Sequence, residues 1–207
     1  LRGSPTPERL RHLQAGCRGS EWLSYDYIGA TDNIKIAYVR RAIEILIDKG
    51  DGLDDDQIRC LRVLSSLSLD GVAADTGQPM GSVMSFPLLC LFNKSVVDLA
   101  LTDLLLSGRI SAKEWRGHRC LINGDDLLTM DTSTGSFNDA LVENGLHIGL
   151  KVNCSKTLRD REYAEINSTV FKNCIRQPKT NVSSLWMGAL VDDVLGFAAE
   201  STATKRG

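Results

Sequence analysis

Apolar positions change period along this chain, and the changes mark its elements. The run Glu21-Trp22-Leu23-Ser24-Tyr25-Asp26-Tyr27-Ile28 is short, aromatic and apolar, which suits a buried strand, and residues 29–33 (GATDN) break it. From Ile34 the spacing turns helical through Ile36, Val39, Ile43, Leu46 and Ile47, until Gly50-Asp51-Gly52 stops it. Residues 54–67 predict a second, shorter helix whose acidic start suits the helix dipole. Gly and Pro make 75–82 a loop. From Pro87 to Leu106 the chain is apolar on nearly every face, the mark of a buried helix, and Ser107-Gly108 ends it.

Further on, residues 118–130 predict a hairpin, and 137–144 a helix capped by Ser136 and closed by Gly145. His147 to Val152 (HIGLKV) predicts a strand, 163–175 a hairpin, and 184–197 a last helical or mixed element. Residues 1–20, rich in Arg, Gly and Ser, have weak periodicity and read as an incomplete lead-in. No repeat or low-complexity tract is present, and the mixed order of elements predicts an α+β fold with a mostly antiparallel sheet.

With 207 residues, 43% hydrophobic and 24% charged, the chain is expected to fold as one domain or as the centre of a larger one. A net charge of -2 supplies no global polycation, so contact with nucleic acid has to come from local basic patches. Six scattered cysteines without a C-x-x-C pair, and three histidines, argue against zinc. Cys90 and Cys120 lie inside apolar runs and read as small buried hydrophobes of a reducing compartment, so the N-x-S/T triplets at Asn93, Asn153, Asn167 and Asn181 carry no expectation of glycans. There is no signal-peptide pattern, and the longest apolar run, near 86–92, is too short to span a bilayer. Starting at Leu1 and ending in STATKRG, the chain is expected to be an excised region.

Asn123-Gly124-Asp125-Asp126 sets two carboxylates at a tight turn between apolar runs, and Asp26 ends another such run. One reading makes Asp26 and Asp125 exposed turn residues. The other lays the two strands side by side, presenting both acids to a pair of divalent metals: oxygen ligands suit Mg²⁺, and paired ions serve phosphoryl transfer. Gly77 and Gly81 free the 75–82 loop to approach a ligand, Ser85 can cap the following helix, and Asn93 is an amide inside an apolar helix that needs partners. The acidic run 48–56 lacks the ligand spacing of an EF-hand and reads as a solvated loop and helix start.

Five stretches in order, DYIGATD (26–32), GQPMGSVMSFPLLCLFN (77–93), NGDD (123–126), GLKVNCSKT (149–157) and EINSTVF (165–171), resemble the palm motifs of viral RNA-dependent RNA polymerases. They are most similar to those of the ourmia-like viruses (the botourmiavirus family), with narnaviruses, mitoviruses and leviviruses next. The resemblance runs over about 22–175 and implies a palm core over 21–175, with 1–20 a lead-in from the fingers, 176–207 the start of a thumb or C-terminal extension, and fingers and thumb largely missing.

The resemblance implies RNA-templated addition of ribonucleotides, with two Mg²⁺ held by Asp26, Asp125 and Asp126, and with Mn²⁺ able to substitute. Asp32 would sense the ribose, assisted by Asn93 and near Ser85, while the loop of Gly77 and Gly81 receives the template. Lys156 would act as general acid toward pyrophosphate, and Glu165, Asn167 and Phe171 would grip the primer. Competing readings make Asp32 an N-cap of the helix from Ile34, Lys156 a solvated lysine like Lys151, and Glu165 and Asn167 plain turn residues. Asn123 and Leu89 depart from common patterns at their positions. The implied partners are RNA template, nascent RNA, ribonucleoside triphosphates and the rest of the same polypeptide, in the host cytoplasm or, by mitovirus kinship, the mitochondrion. The chain alone is expected to be inactive. A reverse-transcriptase-like palm and a non-catalytic RNA-binding or scaffold domain are the alternatives.

Overall fold

A computed structural model describes residues 4–66, 68–69, 72–79, 81–178 and 190–203. The central sheet has the order β4-β5-β1-β6, all neighbours antiparallel: β1 (Trp22–Tyr25), β4 (Cys120–Asn123), β5 (Asp126–Met130) and β6 (Leu158–Asp160). Trp22 pairs with Met130 on one side and Asp160 on the other, so β1 is an interior strand. The two central strands, β1 and β5, are buried on both faces, which is why burial runs through their successive positions rather than alternating.

On one face Leu23, Tyr25 and Leu127 pack against three helices: α3 (Ile36–Lys49), α5 (Ser85–Leu106) and α7 (Phe137–Ile148). On the other face Trp22, Leu128 and Met130 meet α1 (Pro7–Gly16) and two strands, β7 (Tyr163–Ile166) and β8 (Thr169–Lys172), which with β9 (Ile175–Arg176) form a separate three-stranded sheet. The order is completed by α2 (Ala30–Asn33), α4 (Asp55–Leu64), the small pair β2 (Ser68–Leu69) and β3 (Val72–Ala73), α6 (Ala112–Gly117) and α8 (Val191–Ala203). Mixed α and β elements with antiparallel sheets agree with the α+β expectation.

Several local expectations are corrected. The lead-in holds α1, started by Thr6, whose hydroxyl accepts from the Arg9 amide, with Leu10 and Leu13 buried. The helix expected at 54–67 ends at Leu64 after a capping box of Asp54 and Gln57. Ser136 makes no capping bond; the Phe137 amide is satisfied by Asp131 Oδ1 at 3.2 Å. Gly145 does not close α7, which runs on to Ile148 and ends at Gly149 in the left-handed region (φ 103). A Cβ on Gly145 would lie 2.4 Å from the Leu150 carbonyl oxygen, so this glycine is there for close packing.

The HIGLKV segment is not a strand but the end of α7, a glycine cap and an extended piece with a single bridge, Tyr27 to Val152. Ser85 is the first residue of α5, and the capping position belongs to Met84. That helix is not buried all round, since Phe86, Leu91, Leu99 and Leu106 are exposed. Cys90 and Cys120 are half-buried, and Cys174 is the fully buried thiol. Of the last expected element, 190–197 belongs to the segment where α8 forms, and 184–189 lie outside the described residues.

Candidate active site

The register of the sheet brings the three aspartates to one edge. Tyr25 pairs with Leu127, so Asp26 follows the last pair on β1 while Asp126 and Asp125 precede it on β5. Asn123 pairs with Asp126, leaving Gly124-Asp125 as a two-residue hairpin turn with Gly124 at φ 68, the position that demands glycine in a type II′ turn. Asp26, Asp125 and Asp126 are half-buried, which sets aside the reading of plainly exposed turn acids.

One turn of α5 holds this hairpin from beneath. The Gly124 amide donates to Cys90 Sγ at 3.2 Å, and the Asn93 amide donates to the carbonyls of Gly124 (3.1 Å) and Asp125 (3.4 Å). Asn93 is fully buried, and its oxygen accepts from the Tyr27 hydroxyl at 3.0 Å. Burial pushes the Tyr27 phenol up, so it stays a donor. Asn93 therefore ties the residue after Asp26 to the turn that carries Asp125. Its amide is committed to these partners rather than turned toward open space for a ribose.

Asn153, which sequence reasoning did not single out, braces Asp26 twice. Its side chain donates to Asp26 Oδ2 at 3.1 Å and its backbone amide to the Asp26 carbonyl at 2.9 Å. The Asn153 carbonyl then accepts from Lys156 and Thr157, closing a turn that sets Lys156 Nζ 3.6 Å from Asp26 Oδ2. Lys156 is thus an exposed lysine directed at the acids, and it supplies positive charge at Asp26.

The β7–β8 hairpin arrives from the other face. The Glu165 amide donates to Ser24 Oγ at 2.9 Å and the Asn167 amide to Asp126 Oδ2 at 3.0 Å. Asn167 and Ser168 both have positive φ (50 and 53), the geometry of a tight hairpin turn. Phe171 is fully buried in the second core, so its ring packs the hairpin down and does not reach the surface. The Asp126 carboxyl is pushed above its ordinary range by burial first, then by Asp125, with Asp26 and Glu165 adding to it against the Asn167 bond. Four carboxylates therefore feel one another at this edge.

Asp32 lies apart, exposed in α2, so it does not cap the helix from Ile34; that position is Lys35. The 75–78 loop zips against it, with Gly77 donating to the Ile34 carbonyl and Gln78 to that of Thr31, both at 2.8 Å. Asp32, Gly77 and Gln78 line a cavity of about 320 Å³. Gln78 is buried; its Oε1 accepts from Ser85 at 3.4 Å while its Nε2 has no partner among the described residues. Gly81 is exposed with open space around it.

The donor set, all carboxylate oxygen, is the chemistry of a hard divalent cation. Among the described residues, however, no three His, Cys, Asp or Glu side chains converge closely enough to hold a metal ion. No helix of the described residues is long and apolar enough to cross a membrane.

No family model matches the chain. Over 131 residues it is 34% identical to the RNA-dependent RNA polymerase of Ourmia melon virus (isolate Melon/Iran/VE9), a match covering 54% of this chain and 15% of that protein. This identity supports a relationship to viral RNA-dependent RNA polymerases over about half of the chain. Among solved structures, the foamy viral protease-reverse transcriptase in complex with dsDNA aligns over 98% of this chain and 36% of its own, at 13% identity and a TM-score of 0.42.

Proposed function

We propose that this chain is the palm region of an RNA-directed RNA polymerase of ourmia-like kind, adding ribonucleoside monophosphates to an RNA 3′ end in replication of a positive-strand viral genome. The observation that carries the reading is the edge where Asp26, Asp125 and Asp126 lie on adjacent strands, with the Asp126 carboxyl raised by burial first and then by its acidic neighbours. A cluster of acids held together against repulsion is a site that gains from a cation.

Asp26 and Asp125, with Asp126 in support, would hold two Mg²⁺ or Mn²⁺. When bound, such ions neutralise a triphosphate and lower the pKa of an attacking hydroxyl. The chain's own residues do the positioning. Asn93 fixes the Asp125 turn, Asn153 orients Asp26, and Lys156, whose Nζ lies 3.6 Å from Asp26 Oδ2, would neutralise or protonate a departing pyrophosphate. Asp32 would meet the nucleotide, the loop of Gly77 and Gly81 the template, and the tip at Glu165 and Asn167 the primer. Template, nascent RNA and nucleotides would be its partners, together with fingers and thumb from the same polypeptide. The site of action would be the host cytoplasm, with the mitochondrion as the alternative compartment.

The test is a Mn²⁺ titration of the chain followed by water-proton relaxation. Saturable binding lost in Asp125→Ala supports the reading. A titration unchanged by that substitution would favour a non-catalytic domain.

A further inference from the structure

One stripe of α5, made of Phe86, Leu89, Cys90 and Asn93 at helical spacing, meets Gly124, the residue before Asp125. Cys90 Sγ accepts from the Gly124 amide and Asn93 donates to the Gly124 carbonyl. The Leu89 side chain and the Phe86 ring come within 3.8 Å and 3.1 Å of the point where a Cβ on Gly124 would stand. Leu89 and Asn93 are buried, but Phe86, one turn earlier, is 53% exposed. The stripe therefore leaves the core at the acidic turn, and an aromatic residue stands where it emerges.

The contact is made by the rim of the ring. Its two atoms nearest that point, Cε2 at 3.1 Å and Cδ2 at 3.4 Å, belong to one edge, and the next atom, at 3.8 Å, is already one of Leu89. Phe86 thus leans on Gly124 with an edge and keeps its faces clear of the turn. Among the described residues no aromatic ring stacks on it and no cation lies over it. Cys90 and Asn93 already hold Gly124 by polar bonds, so the turn does not need the ring for its seat. An apolar ring left in water gains when a flat partner covers it. The edge contact sets the ring within about 9 Å of the Asp125 Cα, a span that a nucleotide covers between its phosphates and its base. Bases stack on aromatic rings whatever their identity, since each has a π face.

We propose that Phe86 is a stacking platform for the base of a nucleotide whose phosphates lie at the acidic edge. Its place rests on the polymerase reading of that edge, while the stacking itself stands or falls on the ring.

The experiment titrates the chain, in Mg²⁺, with adenosine triphosphate and with ribose 5-triphosphate, which lacks the base, following the phenylalanine rings by proton–carbon NMR correlation. Adenosine triphosphate should bind saturably and move the Phe86 ring protons upfield, whereas ribose triphosphate should bind more weakly and leave them in place. Phe86→Ala should weaken adenosine triphosphate about tenfold and ribose triphosphate hardly at all, and Phe86→Tyr should restore the difference. With the ring more than half exposed, both variants are expected to melt close to the parent. Asp125→Ala should weaken both ligands. A Phe86 ring that stays silent while both triphosphates bind, and are lost in Asp125→Ala, would overturn the stacking and leave the acidic edge standing. Equal loss of the two ligands in Phe86→Ala would make the ring a support of the turn alone and overturn it as well. If neither triphosphate binds, the stacking falls, and the Mn²⁺ titration decides the acidic edge by itself.

Discussion

The peptide N–H of Asn167 donates to a carboxylate oxygen of Asp126 at 3.0 Å, joining the tip of one hairpin to the turn of another across 41 residues. This bond stabilises the charged form of Asp126, yet burial and the neighbouring acids outweigh it and leave the carboxyl pKa raised. Between the ordinary value of 3.8 and the raised one, the folded protein binds more protons than the unfolded chain. Stability is therefore lost as pH rises through that window and stays lost above it. Asp126→Asn, which keeps an acceptor for Asn167, should melt higher than the parent at pH 7, with the gap closing toward pH 3.5. Thermal melts across that range check it; a gap that does not change with pH would remove electrostatic repulsion as its cause.

Asn93 offers a sharper test of what holds the acidic turn. Asn93→Leu leaves the Tyr27 hydroxyl and the Gly124 and Asp125 carbonyls without their buried partner, and should cost about 2–4 kcal/mol. Tyr27→Phe removes one bond of the same set and should cost about 1 kcal/mol. Denaturant unfolding of both variants and the double variant measures this. If the turn relies on Asn93, the double variant will fall short of the sum of the singles.

Two glycines separate backbone strain from crowding. A Cβ at Gly149 (φ 103) would sit 2.0 Å from the Asn33 carbonyl oxygen, whereas Gly52 (φ 78) has nothing within 4 Å. Gly149→Ala should cost about 3 kcal/mol or more, and Gly52→Ala only about 1 kcal/mol from the conformation itself. Comparing their denaturation midpoints decides the matter, and near-equal losses would mean that α2 shifts freely away from the end of α7.

His118 has its pKa lowered from 6.5 to about 4, by burial first, with Glu114 opposing and Lys94 assisting. The folded state thus keeps the ring neutral while the unfolded chain protonates it. Stability should fall as pH drops from about 6.5 to 4, by on the order of 2–3 kcal/mol from this group. In His118→Phe that part of the slope should vanish, which chemical denaturation at pH 7, 5.5 and 4.5 would show.

Much of this architecture was legible because burial on both faces leaves a strong local imprint. The apolar run ending at Asp26, the helical spacing of Ile36, Val39 and Ile43, and the Asn123–Asp126 turn each carry their own signal. Their juxtaposition was one of two readings that the residues left open, and the resemblance of five ordered motifs favoured it. HIGLKV misled for a physical reason: Ile148, Leu150 and Val152 are all buried, but the alternation arises where a helix end, a left-handed glycine and an extended piece cross the core in succession. Helix α1 was missed because only Leu10 and Leu13 face the core, too few for a clear period. Asn153 and Cys90 act through bonds to Asp26 and Gly124, far away along the chain, and nothing in their own neighbourhood announces these; the Pro and Gly around Gln78 mark only a loop.

The interior place of β1 has a consequence for how the chain is made. Trp22, Leu23 and Tyr25 leave the ribosome well ahead of their partners in β5 and β6, which follow only after about a hundred residues or more, a wait of roughly 5–20 s at ordinary synthesis rates. During that interval the most fully buried strand of the sheet has both hydrogen-bonding edges open. Its protection then rests on transient cover, by α1 or by a chaperone, and variants that weaken α1 should show their defect as aggregates in the cell before they show it as a lower melting point in the tube.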